Sequence, residues 1–294
     1  MKETKAQAKK YRKPVVVAGA TGQQGGAVAE QLLANGHAVR ALTRDPDKPQ
    51  AKVLASLGAE VVAADLEDRD TLDRALKGAG AVFSVQSFLE AGVEAEVRQG
   101  LNLIEAAVAA ELEHIVYSSA CATDRNTGVP HLESKWKIEQ NLRETTACWT
   151  VFRPAAFMEN WIWDREAIEQ GVLSLPVRPD LIYRQVSVID IAAMVVQALE
   201  HPAFWGERIV PLAGDDLTPK DIAKTFAKVL KREVRYEQMP WSTCLQMFGE
   251  ELTVMYRYFD DFGLEGDPQM LRHWHSEALS FEAYLRQSGW GGTA

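Results

Sequence analysis

Cysteine is scarce in this chain, histidine is sparse, and no apolar run approaches the length of a membrane span. The 294 residues include 3 Cys and 6 His. Cys121, Cys148 and Cys244 are odd in number and far apart, so neither a disulfide framework nor a metal knuckle is expected; reduced thiols in a cytoplasmic protein are. No stretch has the roughly 20 consecutive apolar residues of a transmembrane helix. A signal-peptide core is missing too, because Val15 to Ala18 is short and runs straight into glycines. The formal net charge of −9 argues against nonspecific nucleic-acid binding, which draws on phosphate neutralisation. No nucleophile elbow supports a Ser-His-Asp hydrolase. His273 and His275, in Arg272-His273-Trp274-His275, point apart on a helix and lack a third ligand, so no metal is expected.

What the chain has is apolar content and repetition of a βα pattern. It is 47% hydrophobic, enough for a substantial core. Met1 to Lys13 carries Lys2, Lys5, Lys9, Lys10, Arg12 and Lys13 and is expected to be a disordered basic arm. Strand-like and helix-like segments then alternate. Strands are expected at Val15–Ala18, Ala38–Thr43, Val61–Ala64, Ala81–Val85, Ile115–Ser118 and Thr150–Phe152. Helices are expected after the glycines and at Ala51–Leu57, Thr71–Leu76, Glu94–Ala110 and Leu132–Leu142. That alternation predicts an α/β fold of the Rossmann type, a doubly wound parallel sheet with helices on both faces. Residues 14–160 form the expected dinucleotide-binding domain, with Asp190–Glu200 and Arg208–Leu212 returning to it from about 186–213. Residues 161–185 and 214–294 form a smaller, mostly helical lobe facing a substrate or partner. Within it, Thr218-Pro219-Lys220-Asp221 reads as an N-cap, a proline at the first helical position and a first-turn acid.

The most specific local signal is Val15-Val16-Val17-Ala18-Gly19-Ala20-Thr21-Gly22-Gln23-Gln24-Gly25-Gly26. An apolar strand ends in a glycine turn and a helical pattern begins, as where a strand delivers a pyrophosphate to a helix N-terminus. The spacing is G-x-x-G-x-x-G, weak alone but supported by its flanks. Gly19 would make the tight turn, Gly22 the close approach to phosphate, and Gly25 the packing of helix on strand. An ordinary strand–turn–helix without ligand is the alternative.

Ligands in such folds lie outside the carboxyl ends of the strands. Arg44 follows the second strand, where an arginine accommodates the 2′-phosphate of NADP(H) and makes NAD(H) the lesser choice. Asp45 could instead serve a free 2′-hydroxyl, and Arg44 could be an ordinary surface charge. Asp65 and Leu66 end the third strand beside the adenine position, although Asp65 also reads as a helix N-cap. Gln86 and Ser87 end the fourth, near the ribose and nicotinamide. Ser118-Ser119 ends the fifth, and His131-x-x-x-Lys135 follows.

These segments carry a family resemblance. The chain resembles the NmrA-like family of atypical short-chain dehydrogenases/reductases at Gly19 to Gly26, Val39 to Pro46, Gly58-Ala59-Glu60-Val61-Val62 and Ile115-Val116-Tyr117-Ser118-Ser119. The match continues at His131-Leu132-Glu133-Ser134-Lys135-Trp136, Arg153-Pro154 and Phe157-Met158-Glu159-Asn160. The resemblance implies a nicotinamide dinucleotide, usually NADP(H). It sets the pyrophosphate at Gly19 through Gln24, the 2′-phosphate at Arg44, the adenine at Asp65 and Leu66, and the nicotinamide ribose at Lys135. Phe157 to Asn160 would lie along the nicotinamide end. Arg98 corresponds to a basic position that can reach the cofactor; a helix-surface charge is its alternative. One departure matters: active dehydrogenases of this superfamily use Tyr-x-x-x-Lys, and here His131 stands at the tyrosine position.

Two functions follow from the resemblance. In one, NADPH reduces a small apolar or aromatic carbonyl or quinone. His131 would donate the proton, Lys135 hold the ribose, and Ser119 or Asn160 polarise the acceptor, with Phe157, Trp161 and Trp163 as an apolar wall. Those aromatics could equally serve packing between lobes. In the other, the protein is a non-catalytic NADP(H) redox sensor acting through a regulatory protein partner, which the missing tyrosine suits.

Overall fold

Short β-branched runs alternating with amphipathic helices set the first half of the chain, as seen in a computed structural model that describes residues 11–291. Of the expected basic arm, residues 1–10 lie outside the described residues. Tyr11 is buried, with its ring against Gly80.

The order is β1 (Val15–Val17), α1 (Gln23–Ala34), β2 (Val39–Thr43), α2 (Pro49–Ser56), β3 (Glu60–Ala63), α3 (Arg69–Leu76), β4 (Ala81–Ser84), α4 (Phe88–Ala109), β5 (His114–Ser118), α5 (Pro130–Arg143) and β6 (Trp149–Pro154). β1, β4 and β5 are buried at every position, as strands covered on both faces must be. α3 begins where Asp68 accepts from the Asp70 and Thr71 amides. Asp68, not Asp65, is therefore the N-cap. α4 starts earlier than its apolar pattern predicts because Ser87 caps it, and Gly92 (φ 84°) then breaks its helical backbone.

The second half continues with β7 (Ala156–Phe157), a 3₁₀ stretch (Met158–Asp164), α6 (Arg165–Glu169), β8 (Val172–Leu175), β9 (Tyr183–Val186), α7 (Val188–Glu200), α8 (Pro202–Trp205), β10 (Arg208–Leu212), β11 (Asp215–Leu217), α9 (Pro219–Leu230), β12 (Arg235–Gln238), α10 (Trp241–Phe262), α11 (Pro268–Trp274) and α12 (Phe281–Gln287). Thr218 caps α9 by accepting from the Asp221 amide, with Pro219 in its first turn, as the sequence predicts.

Seven strands form one sheet in the order β10-β6-β5-β4-β1-β2-β3. β1 runs parallel to β2 and β4, β2 to β3, β4 to β5, and β5 to β6. The chain winds outward from β1 to β3 and then resumes on the other side at β4. This is a Rossmann-type doubly wound sheet with its switch point between β1 and β4.

The chain divides into two units. The first comprises residues up to Ser119, Ser134–Phe152 and Ile191–Val210. Its core holds Val16, Leu72, Val82, Leu103, Ile104 and Ile115. The second comprises Ala120–Glu133, Arg153–Asp190 and the residues from Pro211 onward. Its core gathers Trp161, Leu173, Phe226, Phe281 and Leu285, beside a three-stranded sheet in the order β11-β9-β7 and a β12-β8 pair. Among the described residues, no helix is long and apolar enough to cross a membrane.

Candidate functional site

The glycine loop joins β1 to α1. Gly19 has φ +62°, a left-handed conformation that glycine adopts at no steric cost. A Cβ on Gly25 would lie 2.2 Å from the Gly19 carbonyl oxygen, so only glycine lets α1 press onto the loop. Gly22 is the N-cap of α1, no side chain caps the helix, and its first turn holds no acid. Among the described residues no side-chain cap occupies the amides of that turn, and the helix presents the positive end of its dipole there. Gly22 and Gln23 are exposed, Thr21 and Gln24 half-buried, and Ala20 buried. Gln24 Oε1 accepts from Ser118 Oγ at 2.7 Å, tying the loop to the end of β5. A hollow of about 390 Å³ opens beside the loop, lined in part by Thr21, Gly22, Gln23, Glu30 and Gln50. A glycine-built turn that leads into an uncapped helix terminus fits a phosphate group.

Lys135, on α5, lies in a buried polar cluster of the same unit. Its Nζ donates to Glu96 Oε1 at 2.8 Å and to the Gln86 carbonyl at 3.3 Å. Ser134 Oγ donates to the other Glu96 oxygen. Glu96 is fully buried on α4. A Cβ on Gly100, one turn further along α4, would meet Ile138 Cδ1 of α5 at 2.6 Å, so the two helices are at close approach. Ser119 Oγ donates to the buried Glu139 at 2.5 Å. Tyr117 is also fully buried; desolvation, then Glu96 and Glu139, push its phenol well above the ordinary tyrosine range. Gln86 is buried, its Nε2 donates to Ser84 Oγ at 3.0 Å, and its Oε1 meets no donor among the described residues.

The remaining strand ends carry surface groups. Arg44 is exposed directly after β2, and its Nη2 donates to Glu90 at 2.5 Å. Asp45 accepts from the Asp47 amide, an Asx turn. Asp65 Oδ1 accepts likewise from the Glu67 amide, and the Leu66 carbonyl accepts from Asn102. Ser87 accepts from the Leu89 amide. Arg98 is exposed and meets Glu67 at 3.2 Å.

His131 and Phe157 to Asn160 belong to the second unit. His131 is buried and its Nδ1 lies 3.0 Å from Glu251 Oε1. Phe157 ends β7 and is half-buried, as is Asn160, whereas Met158 is fully buried. Glu159 accepts from Ser187 Oγ and the Val188 amide. Burial outweighs those bonds and raises its carboxyl above the usual range. The expected wall of Phe157, Trp161 and Trp163 does not form as such. Trp161 is core, its Nε1 bonded to Gln185 and its ring among Tyr183, Phe226 and Phe281, whereas Trp163 is exposed. His275 pairs with Asp190 at 3.3 Å, and no group of three metal-ligating side chains occurs among the described residues.

Glu96, Glu139 and Glu251 escaped the sequence reading. Glu96 left a signal: it shares an α4 stripe with Gly100, Leu103, Ile104 and Ala107, all buried, and a lone carboxylate on an apolar stripe demands a partner. Glu251 is half-buried among neighbours of mixed burial and leaves none.

The profile of the NmrA-like family matches residues 11–285. The NmrA-like family domain-containing oxidoreductase hkm9 of Aspergillus hancockii is 32% identical over 256 residues, covering 78% of this chain and 76% of that protein. The NADPH-dependent quinone oxidoreductase QOR2 of Escherichia coli, complexed with NADPH, matches with a TM-score of 0.81 and 23% identity, over 93% of this chain and 99% of that one. NmrA, a negative transcriptional regulator, in complex with NADP, matches with a TM-score of 0.79 and 21% identity, over 94% and 95% of the two chains. At these identities the two structures speak to the fold.

Proposed function

The chain belongs to the NmrA-like family, and from that premise we propose that it is an NADPH-dependent reductase of a carbonyl or quinone-type substrate. The observation that carries the reading is the uncapped, glycine-built N-terminus of α1. The Gly19–Gly25 loop would hold the pyrophosphate, and Arg44 the 2′-phosphate through its paired donors. Asp65 and Leu66 would bound the adenine. Gln86, Ser87 and Lys135 would hold the nicotinamide ribose.

NADPH, when bound, would supply hydride, and the reduced acceptor would then need one proton. His131 replaces the tyrosine that would otherwise give it. If Nδ1–H is donated to Glu251, 3.0 Å away, Nε2 would be the ring nitrogen free to give a proton. Ser119 is poorly suited to polarise a substrate, because its hydroxyl proton is committed to Glu139.

That commitment, with the missing tyrosine, also favours a second reading: a non-catalytic NADP(H)-binding regulator acting through a protein partner. Following NADPH absorbance with a panel of quinones and aldehydes decides between them. Turnover is expected. A protein that binds NADPH tightly yet consumes none with any acceptor would overturn the reductase reading. His131→Ala is expected to slow turnover strongly and spare NADPH affinity; unchanged turnover removes His131 from the chemistry.

A further inference from the structure

The second unit holds a pocket of about 510 Å³, a volume typical of small-molecule sites, that the cofactor reading does not use. Its walls come from the 3₁₀ turn Thr123–Arg125, from β9, from the last turn of α10 and from the loop that follows. One wall is aromatic: Tyr258 and Phe262, one turn apart on α10, have ring centroids 4.9 Å apart, and Phe262 is 73% exposed. The other is cationic.

The charges do not cancel. Arg125 pairs with Glu265 at 2.5 Å, and Arg153 with Asp124 at 2.9 Å. Arg184, on β9, has no carboxylate partner among the described residues. Its Nη1 donates to the neutral Leu264 carbonyl at 2.6 Å, and its Nε is buried with no acceptor among the described residues. Asp216 stands opposite Arg184 in the β11–β9 register but makes no ion pair with it. A guanidinium with no carboxylate beside it leaves its charge uncompensated, and an anion in the pocket would supply the missing partner. The Leu264 bond fixes the planar group, and Nη2, which makes no hydrogen bond to the described residues, is the donor left for a carboxylate.

We infer that this pocket binds a flat anionic small molecule, an aromatic carboxylate in chemical class, with its ring on Tyr258 and Phe262 and its acid group on Arg184. Aromatic faces take a planar ring at low entropic cost, and the surplus guanidinium selects the charge. The inference does not rest on the reductase reading, since neither nucleotide nor turnover enters its test.

The test is calorimetric titration of the full chain with 2-naphthoate and with its neutral counterpart 2-naphthamide. Naphthoate is expected to bind at least about tenfold more tightly than the amide, the worth of a charge-assisted bond. Arg184→Gln should bring naphthoate down to the level of the amide. Phe262→Ala removes only an exposed ring, so it should fold as the parent does and weaken both probes. Equal binding of the two probes, no binding of either, or a Phe262→Ala protein that binds naphthoate as tightly as the parent would each overturn the inference.

Discussion

Lys135 Nζ lies 2.8 Å from a carboxylate oxygen of Glu96, and Glu96 has no exposure to solvent. Removing one partner of a buried ion pair strands the other charge, at about 3–5 kcal/mol. Glu96→Ala should therefore lower the free energy of unfolding by about 3 kcal/mol in urea titrations. The double variant Glu96→Leu, Lys135→Met should recover much of that loss. A single variant as stable as the parent would show that the pair carries no such weight.

Gly25 admits no side chain, its Cβ position being 2.2 Å from a carbonyl oxygen. Gly25→Ala should cost about 1–3 kcal/mol by overpacking and should abolish NADPH binding in a fluorescence titration. Retained binding would show that the loop can open without losing its ligand geometry.

Arg44 and Glu90 form an exposed pair, of the kind worth about 0–1 kcal/mol. Glu90→Gln should leave the melting midpoint unchanged. It should tighten NADPH more than NADH, because the guanidinium no longer divides its donors between Glu90 and a phosphate. Arg44→Ala should do the reverse, weakening NADPH far more than NADH. Equal changes for both nucleotides would separate Arg44 from the 2′-phosphate.

Glu159 gives a pH dependence whose sign follows from its burial. Burial holds its folded-state pKa above the ordinary 4.5, despite the Ser187 and Val188 hydrogen bonds. A carboxyl raised in this way favours the folded state below its unfolded pKa, and that contribution is lost as pH rises through the folded value. Glu159→Gln should therefore gain stability relative to the parent as pH increases from about 4.5 toward neutrality. Parallel curves for the two proteins would remove Glu159 from the titration.

Thiol reactivity should follow burial. Burial pushes the Cys121 thiol up to about 12, and Cys244 is buried as well, whereas Cys148 is half-buried. Iodoacetamide on the native protein should therefore modify Cys148 first, as peptide mass mapping would show. Early labelling of Cys121 would contradict the packing around it.

Most of the first unit could be read from period and punctuation. β1, β4 and β5 are short β-branched or apolar runs bounded by glycine or polar residues, and the helices between them repeat at helical spacing. What escaped notice depends on contacts between distant residues. Glu96 meets Lys135 across 39 positions, and Glu251 meets His131 across 120. No local pattern ties such partners together. Trp161 showed the opposite difficulty. A tryptophan can line a ligand wall or fill a core, and only its neighbours, Phe226 and Phe281 among them, decide which. The 3₁₀ stretch that carries it has no periodicity to read.

Gly100 has one more meaning. Because it offers no Cβ to Ile138, α4 and α5 can lie close enough for Glu96, one turn away, to reach Ser134 and Lys135. The missing side chain is thus a spacer of zero thickness, and the lysine's position is set by what is absent four residues from its partner. Lengthening that spacer by a single methyl would change the ammonium's address without touching any charged group.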